Sequence, residues 1–417
     1  MKLALPRPGS APTYGMALLL ASLSMVSPLS VDTFFPSFRA IAGEFSLSSW
    51  QVQQLVTAYM LPFACLTLIH GPLSDALGRR SLVVIGMLLY TLASIGCVFA
   101  PSFAVLLVFR VLQGMAAGIG PTVARAVVRD LYDGSDAQRL MSAIMMIFSI
   151  APAVGPVIGG WIHVAFGWRS VFGFMVLIGA TLSLVAFLAL PETHPPEKRS
   201  QFHFGKLVRT SWRIAMRGDF VLLAMSAALC MGAVLAYIGS APAIILEQWQ
   251  LKETQFYYLF VPIIGGFMIS SMVAGRLAGR ISRARQLRGG FALMFAASLS
   301  SLLLHFVFAS TPILPLQCLL FAMAFGAQFT FPILTLEMLD LYPRSRGAAA
   351  SVQSFISLGF VSIVMGVLAP ALRGSLPTLA VVAMIFSGIG YGAWLIASRR
   401  LARSPPPAGN GAGHDQP

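Results

Sequence analysis

Charge is scarce in this chain. Only 10% of its 417 residues are Asp, Glu, Lys or Arg and 57% are apolar, whereas a soluble domain carries roughly 25% charged residues. That shortage excludes an ordinary water-soluble fold. Cysteine is equally sparse: Cys65, Cys97, Cys230 and Cys318 all fall inside apolar runs, the pattern of small hydrophobes and not of a disulfide framework. His70, His163 and His305 are isolated, and no metal-ligand spacing links them. No G-x-x-x-x-G-K-[ST] phosphate loop occurs, which argues against an ATP-driven pump. The apolar runs hold neither a Ser–His arrangement nor a Cys/His cluster, so a membrane-embedded enzyme lacks its machinery. A sensor or scaffold would want a soluble output domain, and none is visible. No cofactor or metal is expected.

What is present is a series of apolar runs of about 20 residues, the length a helix needs to cross roughly 30 Å of hydrocarbon. Barrel strands would be about 10 residues long and would alternate in polarity. Twelve helical spans are predicted, at 14–36, 51–74, 81–100, 103–125, 139–164, 168–190, 219–240, 255–278, 287–309, 312–337, 346–370 and 376–398. The first run holds Asp32 and leads into further spans, so it reads as an uncleaved helix and not as a signal peptide. With the N-terminus in the cytoplasm, 23 of the 28 Lys and Arg lie on that side. Arg39, Arg169, Lys252 and Arg373 fall opposite, and Arg110 lies within a span. This positive-inside asymmetry predicts a multi-pass protein with both termini cytoplasmic. It also accounts for the net charge of +14 without nucleic acid as a partner.

The hydrophilic stretch from Pro191 to Gly218 divides the spans six and six. The predicted organisation is an N-terminal six-helix bundle (1–190), a cytoplasmic linker (191–218), a C-terminal six-helix bundle (219–398) and a disordered cytoplasmic tail (399–417). Within the linker, Phe204, Leu207, Val208, Ser211, Trp212 and Ile214 interleave with Lys206, Arg209, Arg213 and Arg217. The segment is either an amphipathic helix on an anionic leaflet or a solvated connector. Two six-helix halves suit a parallel-repeat transporter whose halves rock about a midplane site. A weak repeat supports it: Gly71-Pro-Leu-Ser-Asp75-Ala-Leu-Gly78-Arg79-Arg80 follows the second span, and Gly275-Arg-Leu-Ala-Gly-Arg280 follows the eighth.

Several motifs carry mechanism. Gly71 and Gly78 would allow a tight reversal after the second span, and Asp75 with Arg79 and Arg80 could latch neighbouring helices. In the fourth span, Arg110, Gln113, Gly114, Ala117 and Pro121 share one face. A buried Arg is costly and usually faces the interior with a partner; the alternative is an Arg that snorkels to the surface. Asp32 lies about one turn from the end of the first span, and Arg110 about 10 Å deep at 1.5 Å per residue. Asp32 is therefore the expected partner, either coupling transport to protons or forming a structural ion pair. In the fifth span, Pro152, Gly155, Pro156, Gly159 and Gly160 would bend the helix and open a groove for close packing. Glu337 reads as a helix-end or gate charge. Tyr59, Phe63, Tyr237, Phe325, Gln328 and Phe329 are candidates to line a central cavity.

The G-x-L-x-D-x-x-G-R-R loop resembles the signature of the major facilitator superfamily, and R-x-x-Q-G in the fourth span is similar to its proton-coupling pattern. G-P-x-x-G-G in the fifth span resembles the antiporter motif of its drug exporters. Ser30-Val-Asp32-Thr-Phe-Phe-Pro36, Val123-Ala-Arg125-Ala-Val-Val-Arg129-Asp130-Leu-Tyr132, Gly167-Trp168-Arg169 and Pro191-Glu192-Thr193 are similar to the bicyclomycin/chloramphenicol-resistance branch of twelve-span drug:proton antiporters. The second half matches mainly by layout, and its loop after span eight lacks the acidic residue, so no second charge latch is expected there. The resemblance implies an all-α membrane fold of two pseudo-symmetric six-helix bundles. It further implies export of small organic compounds across the bacterial inner membrane, driven by the proton gradient, by a chain with no need of a second copy. Proton-coupled uptake or export of an endogenous metabolite is the alternative.

Overall fold

The computed structural model describes residues 14–199, 201–277, 279–308, 312–343, 345–372 and 374–403. Twelve of its helices are long and apolar enough to cross a membrane. In chain order, spans 1 to 12 are Tyr14–Phe45, Ser49–Leu77, Arg79–Val98, Phe103–Leu131, Asp136–Phe166, Trp168–Ala189, Gly218–Gly239, Tyr257–Leu277, Arg283–Val307, Ile313–Asp340, Arg346–Ala371 and Leu376–Arg403. No strand occurs among the described residues. Lys2, Arg7, Arg344 and Arg373 lie outside the described residues, as does the tail from Ser404. Span 12 runs as helix through Arg403, past its expected end at 398, with Arg400 and Arg403 in the last turn, where cations complement the helix dipole.

Odd-numbered spans begin, and even-numbered spans end, at the face that carries the 190–217 segment, called here the linker face; the other is the far face. The same pairings recur in both halves. Span 1 packs on 5, 2 on 4, 3 on 4 and 3 on 6; correspondingly 7 packs on 11, 8 on 10, 9 on 10 and 9 on 12. Between the halves, span 2 lies along span 11 and span 5 along span 8. The linker contains a helix, Phe204–Ala215, which touches spans 2, 7 and 11.

Three spans are interrupted, each for a reason visible in the sequence. Span 1 turns at Thr33–Phe34 into a short 3₁₀ segment, Phe35–Ser37; Pro36 cannot donate to an α-helical partner. Span 4 breaks at Gly118 between Phe103–Ala117 and Ile119–Leu131, because Pro121 has no N–H for the Ala117 carbonyl. Span 11 relaxes into a π-helical turn, Val364–Leu368, where the Ala369 N–H reaches back to Val364. The next donor in either register would be Pro370. It has none, so the Met365 and Gly366 carbonyls must find partners elsewhere.

Candidate functional site

Arg110 is wholly buried in the first half. Its Nε donates to the Leu55 carbonyl at 3.2 Å, and Nη1 donates to the Ser30 carbonyl at 3.2 Å and to Gln113 Oε1 at 2.9 Å. Three rings surround the guanidinium: Phe34 at 4.4 Å, Tyr59 at 4.6 Å and Phe172 at 5.9 Å from ring centre. Desolvated contacts of this kind are worth about 2 kcal/mol. Gln113 passes the network on to Ser94 Oγ at 2.7 Å, and Ser30 Oγ meets the Tyr90 hydroxyl at 2.5 Å. Five spans thus converge on one cation. Arg110 therefore faces the interior, and snorkelling is excluded. One atom is left over: Nη2 is buried without a hydrogen-bond partner.

The expected pair between Arg110 and Asp32 is not formed. Carbonyls, an amide and aromatic faces hold the Arg, while Asp32 is buried and makes no ion pair or hydrogen bond with another described residue. Both residues belong to the same helix, which runs through Asp32. The Ser30 carbonyl accepts from Arg110, while Asp32, two residues on and about 200° around the helix axis, lies against span 5. There its Cβ packs on Gly155, where an added methyl would stand 3.3 Å away.

The span 5 motif lies on this surface. A Cβ at Gly159 would come within 1.7 Å of the Thr33 carbonyl oxygen, and one at Gly160 within 2.3 Å of the Glu253 carbonyl oxygen. Gly159 thus seats span 5 on span 1, and Gly160 seats it on the loop between spans 7 and 8, across the two halves. Pro152 and Pro156 lie inside the same helix.

At the linker face three separate sequence motifs meet. Arg79 donates to Asp75 at 2.5 Å, to Ser74 at 2.7 Å and to Asp130 at 3.0 Å. Its backbone N–H donates to Glu192 at 2.8 Å. Thr193 also donates to Asp130, at 2.8 Å, and Arg80 donates to the Phe187 carbonyl. Gly78 makes the reversal alone, at φ +95° and ψ 151°, a region that essentially only glycine occupies. Gly71 takes no part in it: it lies inside the span 2 helix with open space around it. The second half does carry a latch, contrary to expectation. Asp340, at the end of span 10, pairs with Arg283 at 2.9 Å and Arg346 at 3.3 Å. The acid comes from a different helix, so reading the loop alone misses it. Glu337 lies half-buried on the same span.

The far face is sealed between the halves. Gln53 donates to the Gly239 carbonyl at 3.1 Å and the Met365 carbonyl at 2.7 Å, and Gln54 to the Gly366 carbonyl at 3.0 Å. These are the carbonyls that Pro370 and the end of span 7 leave without donors. Phe35 meets Phe260 at 6.4 Å. Every hydrogen bond between described residues of the two halves lies at this face.

The expected cavity residues divide. Tyr59 is fully buried, donating to the Ser27 carbonyl at 3.2 Å, and Phe63 packs beside it and against Gly118. Both belong to the packing of the first half. Tyr237 is buried inside the second half, lining a crevice with Ser298, Ser301, Leu316 and Leu320. Gln328 donates to Ser271 at 3.2 Å, and Phe329 stacks on Phe325 at 5.6 Å; both stay half-buried. Gln53, Gln54, Ser94 and Tyr90 were not legible as functional. Polar residues in an apolar span were the available signal, and nothing in the sequence paired them.

The sequence profile of the Major Facilitator Superfamily matches residues 20–362. The chain belongs to that superfamily. It is a multi-pass membrane transporter and not an enzyme. Among its relatives is a Bacillus subtilis (strain 168) protein described as an uncharacterized MFS-type transporter, YdgK. It is 30% identical over 383 residues, which cover 90% of this chain and 92% of the relative. A bicyclomycin resistance protein homolog of Haemophilus influenzae is 26% identical over 287 residues, 69% of this chain and 72% of the other. The major facilitator fold is shared with a solved bacterial homolog of the human lysosomal transporter Spinster, in an inward-facing and unoccupied conformation. That likeness has a TM-score of 0.68 at 16% identity and covers 95% of this chain and 100% of that one.

Proposed function

We propose that this transporter exports small organic compounds from a bacterial cell in exchange for protons, with both termini in the cytoplasm. The observation that carries this reading is the seating of Asp32 on Gly155 of the span 5 antiporter motif. The one buried carboxylate of span 1 adjoins the helix that closes the far face. A change in its charge bears directly on the Thr33–Gly159 contact and, through Gly160, on the seam between the halves. The unpartnered Nη2 of Arg110 gives that carboxylate a place to go in another state. The positive-inside bias makes the linker face cytoplasmic, so the sealed far face is the outer one and the state described is the one that loads from the cell interior. A compound binds between the halves, the seal at Gln53 and Gln54 yields, and Asp32 takes a proton as the compound leaves. The gradient supplies about 2.3 kcal/mol per 100 mV for each net charge moved. The relative named for bicyclomycin resistance supports export, and the compound itself is to be found by screening.

The test is expression in an efflux-deficient bacterium with a compound panel, with and without a protonophore. One compound should be excluded, and the protonophore should restore its accumulation. Asp32→Asn should abolish the exclusion at unchanged expression. A metabolite that enters only with the gradient intact would reverse the direction, and pH-dependent transport retained by Asp32→Asn would remove Asp32 from coupling.

A further inference from the structure

The linker helix Phe204–Ala215 has three faces, and the protein covers only one. Ile214 is buried, with Leu207, Thr210 and Ser211 half-buried beside it, against spans 7 and 11 and the end of span 2. A second face carries Phe204, Val208 and Trp212, spaced one turn apart, with Met216 next in line. They are 57%, 48%, 64% and 62% exposed. The third carries Lys206, Arg209 and Arg213, all exposed and without an ion pair among the described residues. Arg217 is already engaged, over the Tyr342 ring at 5.6 Å. No acidic residue occurs between Glu197 and Asp219.

The height of the helix decides what meets these faces. It ends at Ala215, and span 7 starts at Gly218, so it lies at the level where a span enters the bilayer. An apolar stripe there would be left in water unless it enters the boundary between headgroups and acyl chains, with cations at the headgroups. We propose that the linker helix is a binding surface for anionic phospholipid. Phe204, Val208 and Trp212 enter the boundary, and Lys206, Arg209 and Arg213 hold the phosphodiester headgroups. This rests on the membrane-spanning fold alone, and neither the direction of transport nor its coupling enters.

The full-length protein is placed in nanodiscs of phosphatidylcholine, with or without one part in three phosphatidylglycerol, and amide hydrogen exchange is followed over 204–216. Each cation near an anionic surface contributes about 1 kcal/mol, so three give on the order of a hundredfold slower exchange at low salt. Half-molar salt should remove most of that effect, and the triple variant K206Q/R209Q/R213Q should lack it. Trp212→Gln should speed exchange in both lipids. Equal exchange with and without phosphatidylglycerol overturns the proposal, as does a lipid effect that survives high salt. Equal slowing by inorganic phosphate in phosphatidylcholine discs overturns the assignment to lipid. The salt series uses the parent protein, so the outcome stands even where the triple variant fails to fold.

Discussion

At the linker face of the first half, Arg79 has only 6% of its side chain exposed and is shared between Asp75 and Asp130. At the matching place in the second half, Arg283 opens span 9 and pairs with Asp340 at the end of span 10, with the two side chains 54% and 45% exposed. The geometry is the same, and the energetics are not. An exposed pair is worth about 0–1 kcal/mol. Arg79 is itself buried while Asp75 and Asp130 are 45% and 22% exposed, so its loss strands no buried charge but removes hydrogen bonds to charged acceptors worth about 1.5–3 kcal/mol each. Deeper in the membrane the contrast repeats. Span 3 offers Ser94 and Cys97, eight and eleven residues after Gly86, to the Arg110 network, and span 9 carries Ser298 and Ser301 at the same spacing from Gly290. Span 10, however, brings Leu320 to that place, and only a small crevice is left with Tyr237. One half keeps buried charge and the other keeps apolar packing, on a single repeated set of helix pairings. The comparison teaches that the repeat is a scaffold on which, among the described residues, only the first half buries charged side chains.

Four comparisons would break or sharpen that contrast. Arg110→Leu copies the second half into the first. Arg110 is held by carbonyls and Gln113 and by no carboxylate, so its replacement strands no opposite charge and the variant should fold, with gradient-driven transport in everted vesicles falling about a hundredfold. Full activity would make the charged core dispensable. Next in size, Arg79→Ala, which removes the side-chain hydrogen bonds to Ser74, Asp75 and Asp130, should destabilise the detergent-solubilised protein by about 2–3 kcal/mol, against about 0.5 kcal/mol for Arg283→Ala. Equal melting shifts for the two would erase the asymmetry between the latches.

Glycine substitution at the two reversals is the third comparison. Gly78→Ala meets both a glycine-only backbone region and the Glu192 carboxylate, whose Oε2 would lie 2.4 Å from the new methyl. It should cost about 2 kcal/mol. Gly279→Ala has positive φ but open space, and about 1 kcal/mol is expected. Thermal melts of the pair decide it. The last comparison is at the seam, where the first half supplies amide donors and the second supplies carbonyls. Gln53→Ala with Gln54→Ala removes three hydrogen bonds of about 1 kcal/mol each, which should raise the far-open population by on the order of a hundredfold. Spin-label distances between the far ends of spans 2 and 11 would read it; an unchanged distribution would show that packing alone holds the seal.

The number of spans, their order and the grouping of cations toward one face were legible because the bilayer imposes a length and a polarity rule on each helix separately. Such rules act on neighbours in the chain. Gly78 could be read for the same reason, since a reversal between two helices is local. Gly71 misled because a glycine inside a helix leaves the same letter as one in a turn.

By itself, then, the amino-acid sequence determined the twelve spans and the small residues that permit close approach at Gly159 and Gly160, and left Arg110 open between the interior and the surface. Which partners those residues took was decided only by tertiary packing. The facing of the span 1 helix set the Asp32 Cβ against Gly155 and left the Ser30 carbonyl for Arg110. Asp340 reached Arg283 from another helix, and two glutamines of span 2 found carbonyls that a proline more than 300 residues away had left without donors. In each case the deciding contact joins segments that adjoin one another only after the helices have packed, and no local rule carries that information.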